Sequence, residues 1–322
     1  MGYKIQAASI AALLLAASPA SAQTCDRACL ITLADTYAQA LIDDEPGAVQ
    51  WASDARIIEN LAPIEVGEGA FDTITSGPTD YAIHVADPVS RQIGLLAMMS
   101  EGETPVLVGI RLQLNDAGVV EEAEHLIARD LSPMQLANLQ TPRPALLREV
   151  PAPYADSRAR MLWLGRSYYD ALDNNNARHS NMADDCERQE NGFQTARNPM
   201  VRDNPNGNGQ RDEIFTYLGG LGCAAQMDTN MWEYIDTIEN RRVEIADPAT
   251  GLVWGISHFH HDMAEAETPL YNVPWAAARE WRGYDPFDMP AIHIYKIWGG
   301  AIHEIEALGI VVPYQSPHSF ED

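Results

Sequence analysis

The chain has 322 residues, of which 46 are acidic and 21 basic, and its formal net charge is −25. So acidic a protein is repelled by phosphate backbones and anionic lipid surfaces, which argues against nucleic-acid binding and membrane docking. Apolar residues make up 46% of the chain, enough to bury packed cores, and the length predicts about two domains.

Residues 1–22 have the pattern of a secretory signal peptide. Lys4 supplies the positive start, an apolar run follows from Ala7 to Ala17, and Ala20-Ser21-Ala22 is a small-x-small cleavage site. The run is too short to span a membrane. We therefore expect cleavage after Ala22 and a periplasmic or secreted mature protein.

Four cysteines remain after that cleavage, and disulfides are the default in an oxidising compartment. We favour the pairs Cys25–Cys29 and Cys186–Cys223, because each half of the chain then closes its own bridge. A metal site is the alternative, but the spacing does not match a zinc ribbon.

An internal repeat divides the mature chain. The stretch Thr36–Leu41 matches Ser167–Leu172, and Ala86-Asp87-Pro88 matches Ala246-Asp247-Pro248. A third block, from Gly118 to Leu126, matches the block from Gly300 to Leu308. The order of the blocks is kept while their offset grows, which is typical of a duplicated domain whose second copy has gained loops. We predict domain 1 at 23–140, a proline-rich linker at 141–154 that is neither helix nor strand, and domain 2 at 155–322.

Each copy is predicted to begin with a helix, over Leu30–Leu41 and over Met161–Leu172, where apolar residues recur at helical spacing. Strands follow in each copy. The predicted strands are Val106–Leu114 and Val119–Ile127 in the first copy, and Gly251–His261, Ala291–Trp298 and Ala301–Ile310 in the second. A leading helix and an antiparallel sheet predict an α+β fold.

The helix ending in Tyr-x-x-x-Leu (Tyr37 to Leu41), the turn Ala183-Asp184-Asp185 and the closing hairpin resemble the NTF2-like superfamily, which includes SnoaL-like cyclases. The segments Cys25–Leu30 and Asp184–Gly192 also resemble an uncharacterised secreted family with two such modules in tandem. The resemblance implies two cone-shaped domains of curved sheet wrapped on helices. They would form a pseudo-dimer in which domain 1 packs on domain 2, with a small-molecule cavity inside the cone.

The resemblance to ketosteroid isomerase, within that superfamily, places Glu190 at the proton-abstracting carboxylate and Tyr168 at the oxyanion donor. Glu59 and Tyr37 are the equivalents in copy one. Burial in an apolar cone is expected to make Glu190 a stronger base. The alternatives are that Tyr168 only packs the helix on the sheet, and that Glu190 caps a turn or pairs with Arg188.

Three histidines near the end of one strand are further candidates. Side chains alternate along a strand, so His258 and His260 share a face with Trp254, and His261 points the other way. A His-x-His pair can act in acid–base chemistry or hold a metal. We assign His258 and His260 as catalytic, and Trp254, Asn191, Trp298 and Tyr295 as substrate contacts. His293 is interpreted as packing, and no cofactor or metal ligand is assigned.

These residues predict a cofactor-free lyase, dehydratase or isomerase that abstracts a proton from a small aromatic or carbonyl-bearing molecule in the domain 2 cavity. One alternative is a secreted, non-catalytic binding protein for a small hydrophobic ligand. The other is a metal-dependent site built on His258 and His260. The enzyme hypothesis requires Glu190, Tyr168, His258 and His260 to converge on one closed pocket, since a base must lie within hydrogen-bond reach of its proton.

Overall fold

A computed structural model of the chain describes residues 25–198, 210–265, 267–275, 279–281, 284–318 and 320. The predicted signal peptide at 1–22 lies outside them. Among the described residues, no helix combines the length and the apolarity needed to cross a membrane. The fold mixes two large antiparallel-rich sheets with a few helices, so the predicted α+β class is confirmed.

The first half begins with helix α1 (Arg27–Asp43). The Asp26 side chain accepts a hydrogen bond from the Cys29 amide at the helix start, and the helix ends at Asp44 in a left-handed conformation. The strands β1 to β6 and three short helices follow, listed here in chain order: β1 (Trp51–Glu59), β2 (Ala62–Ile64), α2 (Ala70–Thr73), β3 (Ala82–Asp87), β4 (Gln92–Glu101), β5 (Thr104–Leu114), β6 (Val120–Ala128), α3 (Pro133–Asn138) and α4 (Pro144–Leu147).

The second half begins with helix α5 (Arg158–Asp173), which the Ser157 side chain caps. Its other elements are, in chain order, β7 (Met182–Glu190), β8 (Phe193–Ala196), α6 (Gln210–Gly220), α7 (Cys223–Met227), β9 (Thr237–Asp247), β10 (Leu252–His261), β11 (Glu267–Pro269), β12 (Arg279–Trp281), β13 (Phe287–Trp298), β14 (Ala301–Gly309) and β15 (Val312–Pro313). Both predicted helices and all five predicted strands are therefore present.

The two large sheets have the same strand order. The first runs β2-β1-β6-β5-β4-β3, and the second runs β8-β7-β14-β13-β10-β9. In each sheet the first long strand pairs in parallel with the last one, β1 with β6 and β7 with β14, and the other pairings along these orders are antiparallel. Helix α1 packs on one face of the first sheet and α5 on one face of the second.

The opposite faces of the two sheets meet in a shared apolar layer. Leu96 and Leu126 from the first sheet lie there with Trp254, Ile256 and Ile292 from the second. The sheets approach so closely that a Cβ atom at Gly94 would lie 2.4 Å from the Trp254 ring. The molecule is thus layered as helix, sheet, sheet and helix.

Both predicted disulfides are confirmed. Cys25–Cys29 lies at the start of α1, and Cys186–Cys223 joins β7 to α7. The prediction that the linker contains no helix is wrong, because α4 lies inside it. Pro144 begins that helix, where a missing amide proton has no cost, and Leu146 is buried in the shared apolar layer.

Candidate functional site

A cavity of about 230 Å³ lies in the second half, between α5 and the face of the second sheet that α5 covers. Five aromatic side chains contribute to its wall: Tyr168 on α5, Phe193 on β8, Trp232 and Tyr234 before β9, and Phe259 on β10. The polar members of the wall include Glu190, Thr195, His261 and His293. Mostly apolar walls with a few polar groups are the usual make-up of a small-molecule site.

The fully buried Arg188 guanidinium organises the polar end of this cavity. Its Nη1 donates to the Tyr168 hydroxyl at 3.3 Å, and its Nη2 donates to the Gln226 side chain at 2.7 Å. Its Nε lies 2.6 Å from Glu190 Oε1 and donates to Thr195 Oγ1 at 2.8 Å. A buried charge requires such partners, so Arg188 fixes the positions of Tyr168 and Glu190 together.

Tyr168 is 1% exposed, and burial raises its pKa, an effect that the nearby Arg188 charge partly offsets. The phenol is therefore protonated at neutral pH. Because its oxygen accepts from Arg188, its own proton remains available as a donor. Donation from Arg188 also polarises the O–H bond.

Glu190 does not have the apolar burial that we expected. Its side chain is 40% exposed, it is ion-paired with Arg188, and it accepts from the Thr195 hydroxyl at 3.2 Å. The reason is local, since Arg188, two residues earlier on β7, points to the same face of the strand. The alternative that Glu190 pairs with Arg188 is therefore the observed arrangement.

Two histidines on the cavity wall, His261 and His293, belong to the site, although neither was among the predicted site residues. His293 Nδ1 lies 3.3 Å from the Tyr169 hydroxyl, and burial, with a contribution from Arg188, lowers the pKa of His293 to about 3. It is therefore a neutral imidazole. His261 is 1% exposed and stacks on Phe287, with a distance of 4.1 Å between ring centroids.

The structure divides the predicted catalytic set. Tyr168 and Glu190 line the cavity, whereas His258 and His260 project from the opposite face of β10, so the expectation that all four share one pocket is wrong. His258 instead borders a crevice between the two sheets, beside Arg111 and Glu124. The physical reason is the strand alternation, because the cavity face of β10 carries Phe259 and His261.

The predicted substrate contacts also divide. Asn191 lines the cavity, but its side chain exchanges hydrogen bonds with the backbone of Gly309, at 2.8 and 3.0 Å. Trp254 lies in the layer between the sheets, and Tyr295 is fully buried against Tyr168. Trp298 stacks on His303 in a separate open groove. None of these last three lines the cavity.

The corresponding positions of the first half form a different arrangement. The Tyr37 hydroxyl lies 2.8 Å from His125 Nε2, and His125 Nδ1 lies 3.2 Å from Glu59 Oε2. The Tyr37 ring packs against Phe71 and Trp51. A histidine thus joins the tyrosine to the glutamate here, whereas Arg188 does so in the second half.

Part of the chain is similar to known proteins. Residues 154–309 match the model of a domain of unknown function, DUF8021. No curated protein matches the chain. Among solved structures, it is similar to a protein from Jannaschia sp. CCS1 described as a SnoaL-like polyketide cyclase, at 13% identity and a TM-score of 0.22, over 56% of this chain and 91% of that one.

Proposed function

We propose that the chain is a tandem duplication of one NTF2-like module, with domains at 23–140 and 155–322. The identical strand order of the two sheets supports this proposal. So do two reciprocal ion pairs: Arg27 in the first half binds Asp247 in the second at 2.8 Å, and Arg158 in the second binds Asp87 in the first at 2.7 Å. Reciprocal contacts of matched residues are typical of a two-fold interface.

We propose further that the second half is a cofactor-free lyase or isomerase, acting by proton transfer on a small aromatic or carbonyl-bearing molecule. The four-residue active site expected from the sequence is not formed, so the proposed active site consists of Tyr168 and Glu190, without His258 and His260. The observation that carries this proposal is that Arg188 orients a phenol and a carboxylate on the wall of one aromatic cavity. The cavity of about 230 Å³ is smaller than the roughly 300–1,000 Å³ typical of drug-sized ligands. The substrate is therefore small.

In the proposed mechanism, the substrate carbonyl oxygen accepts a hydrogen bond from Tyr168. Glu190 takes a proton from the carbon beside that carbonyl, and the negative charge moves to the oxygen, where the phenol stabilises it. In an isomerase the proton then returns from Glu190 to another carbon. In a lyase the leaving group departs with the electron pair of its broken bond, and Glu190 gives its proton to that group or to water. Arg188 lies behind the phenol and compensates the developing negative charge.

A binding protein without chemistry is the second candidate. The observation that favours it is that Glu190 already has two partners, Arg188 and Thr195. A carboxylate that is held by two partners is suited to orient a bound ligand without taking a proton from it. The same cavity would then select a neutral aromatic ligand by shape and by one hydrogen bond to Tyr168.

The test begins with a thermal-shift screen of aromatic ketones and hydroxy acids. Each ligand that raises the melting temperature is incubated with the protein in D₂O, and its carbon-bound deuterium is measured by NMR. Proton transfer predicts deuterium incorporation beside the carbonyl. Glu190→Gln is expected to slow it by roughly 10²–10⁴-fold, and Tyr168→Phe by roughly 10²–10³-fold.

The matched controls are Glu59→Gln and Tyr37→Phe, the same changes at the corresponding positions of the first half. Both are expected to leave the exchange rate unchanged in folded protein. A ligand that binds with no exchange above the rate in buffer would instead establish the binding function.

Export is a further proposal, supported by the two disulfides, which persist in oxidising compartments. The mature protein is then expected to begin at Gln23. N-terminal sequencing of protein purified from its native source checks this, and an intact Met1 would contradict it.

A further inference from the structure

A cluster of three histidines lies on the face of β10 opposite to the cavity. His258 and His260 come from β10, and His318 comes from the segment that follows β15. We propose that these three side chains bind one divalent transition-metal ion of the zinc class. This site is separate from the cavity, and the inference does not rest on the proposed catalysis.

The spacing of the three imidazoles fits one small ion. One nitrogen atom from each ring lies within 4.8 Å of the other two, and the Nε2 atoms of His260 and His318 are 3.2 Å apart. Zn–N bonds of 2.0–2.1 Å in tetrahedral geometry place two nitrogens about 3.3 Å apart. Small rotations of the rings therefore bring all three nitrogens to bonding distance.

His258 carries the strongest indication of a missing ligand. It is 1% exposed; its Nδ1 has no hydrogen-bond partner among the described residues, and its Nε2 has only the Asp288 carboxylate beside it, with Oδ2 at 3.2 Å. Unpartnered polar atoms in the interior are costly. A metal ion bound to one nitrogen would remove that cost.

Asp288 supplies the carboxylate that usually supports a histidine ligand. It is fully buried, and its Oδ1 lies 2.9 Å from His260 Nδ1. A proton held on Nδ1 by this hydrogen bond leaves the Nε2 lone pair directed at His318, as in carboxylate–histidine–zinc arrangements. The Asp288 side chain also accepts from the Ser316 amide, which ties the C-terminal segment to the same group.

Glu239 supplies a second carboxylate beside the three histidines. Its Oε2 lies 3.7 Å from His260 Nε2 and 3.5 Å from His318 Nε2, on the more exposed side of the cluster. Together with Asp288 it places two negative charges beside a divalent ion. Imidazoles with carboxylates suit zinc and its late first-row neighbours.

The consequence of metal binding is that the C-terminal segment is held on the sheet. Two ligands belong to one strand and the third to the segment after β15, in which the Phe320 ring lies beneath the guanidinium groups of Arg56 and Arg111 of the first half. The ion would therefore act as a cross-link between β10 and this segment.

The test uses the full mature chain after metal removal by a chelator. Zn²⁺ is titrated against a chromogenic chelator, and Co²⁺ is added as a spectroscopic probe of nitrogen ligation. We expect one equivalent of Zn²⁺ and a visible Co²⁺ spectrum of a four-coordinate site. His260→Gln and His318→Gln should each weaken binding by more than about 100-fold, since loss of a supporting carboxylate alone typically costs 10–100-fold.

His179→Gln is the matched control, because His179 is an exposed histidine in a turn after α5. It should leave the Zn²⁺ affinity unchanged. His318 lies outside the strands, so its variant tests the site without disturbing the sheet, and equal melting temperatures of the metal-free proteins verify this. Failure of the native chain to bind Zn²⁺ stoichiometrically, or native affinity in His318→Gln, would overturn the proposal.

Discussion

At the scale of single residues, two buried ionisable groups respond to pH in opposite directions. His293 is neutral because burial, with a smaller effect of Arg188, lowers its pKa to about 3. Glu306, which is fully buried beside Arg143, has its pKa raised by burial to about 7. Both environments favour the neutral form. The effects on stability differ in sign, because the neutral form is the deprotonated one for histidine and the protonated one for glutamate.

For His293, the direction in which stability changes with pH follows from the number of protons bound by the folded and unfolded chains. Between pH 6.5 and about 3 the unfolded chain binds a proton at this histidine and the folded chain does not. The free energy of unfolding therefore falls as the pH falls, by about 1.4 kcal/mol per pH unit, or about 2–3 kcal/mol from pH 6.5 to pH 4.5. We predict that His293→Gln removes this loss, as measured by urea unfolding across that range.

Glu306→Gln provides the contrast. Between pH 4.5 and about 7 the folded chain holds a proton on Glu306 that the unfolded chain has released, so native stability falls as the pH rises. This substitution should therefore change the pH dependence in the opposite sense to His293→Gln. Identical pH profiles for the native protein and both variants would show that neither group is held neutral.

At the scale of elements, strand β10 explains which parts of the site the sequence could predict. Nine of its ten residues are buried, because a helix covers one face and the other sheet covers the other. Its apolar pattern therefore does not show which of its two faces lines a cavity. The alternation of side chains predicts only that His258 and His260 lie on one face and His261 on the other. Helices α1 and α5 each expose one face, so their spacing predicted them well.

Other members of the two sites had no local signal. Arg188 was named only as an alternative partner of Glu190; its burial and its contacts with Tyr168 and Gln226 were not predicted, because arginine is rarely fully buried unless it is paired and these two partners are distant in sequence. His318 lies 58 residues from His260, and only the fold brings them together. Both disulfides were predictable because each closes within one half of the chain.

The close contact between β4 and β10 gives a prediction at the same scale. A methyl group at Gly94 would lie 2.4 Å from the ring of Trp254, which is 1% exposed. We predict that Gly94→Ala lowers the free energy of unfolding by about 1–3 kcal/mol, the usual cost of overpacking. Chemical denaturation measures it, and Gly47→Ala, where a Cβ meets nothing within 4 Å, is the control.

A second substitution makes that prediction specific. In the Gly94→Ala background, Trp254→Leu should cost less than it does alone, because it removes the ring that the new methyl group meets. The double-mutant cycle should thus give a favourable coupling energy. Strict additivity would mean that the destabilisation arises elsewhere, for example from the backbone of β4.

At the scale of the whole molecule, the two halves are held together by an apolar layer and by matched charges. Arg27 and Arg158 occupy the same place at the starts of α1 and α5, and each reaches across to an aspartate that is about 1% exposed in the other half. The aspartates Asp87 and Asp247 belong to the repeated Ala-Asp-Pro segment. The repeat that is visible in the sequence therefore reappears as a reciprocal contact.

This reciprocity makes a prediction about the interface. Arg27→Met and Arg158→Met each leave a buried carboxylate without its guanidinium, although backbone amides still bind Asp87 and Asp247. Removal of one partner from a buried ion pair lowers the free energy of unfolding by up to about 3–5 kcal/mol. Because backbone amides still bind each aspartate, we expect a smaller loss of about 1–3 kcal/mol for each variant. The two losses should be of similar size, since the two ion pairs occupy matched places in the two halves.

Arg160→Met is the control on α5, because that guanidinium lies over the half-exposed Trp163 ring rather than an aspartate. Its cost should stay within about 0.5 kcal/mol, as for most surface substitutions.

Urea unfolding of the three variants and of the double variant Arg27→Met/Arg158→Met measures these differences. If the halves unfold as one unit, the double variant keeps a single transition and the two losses add, because the two ion pairs share no residue. Two separate transitions in the native protein would contradict this, and would mean that the shared layer does not couple the halves.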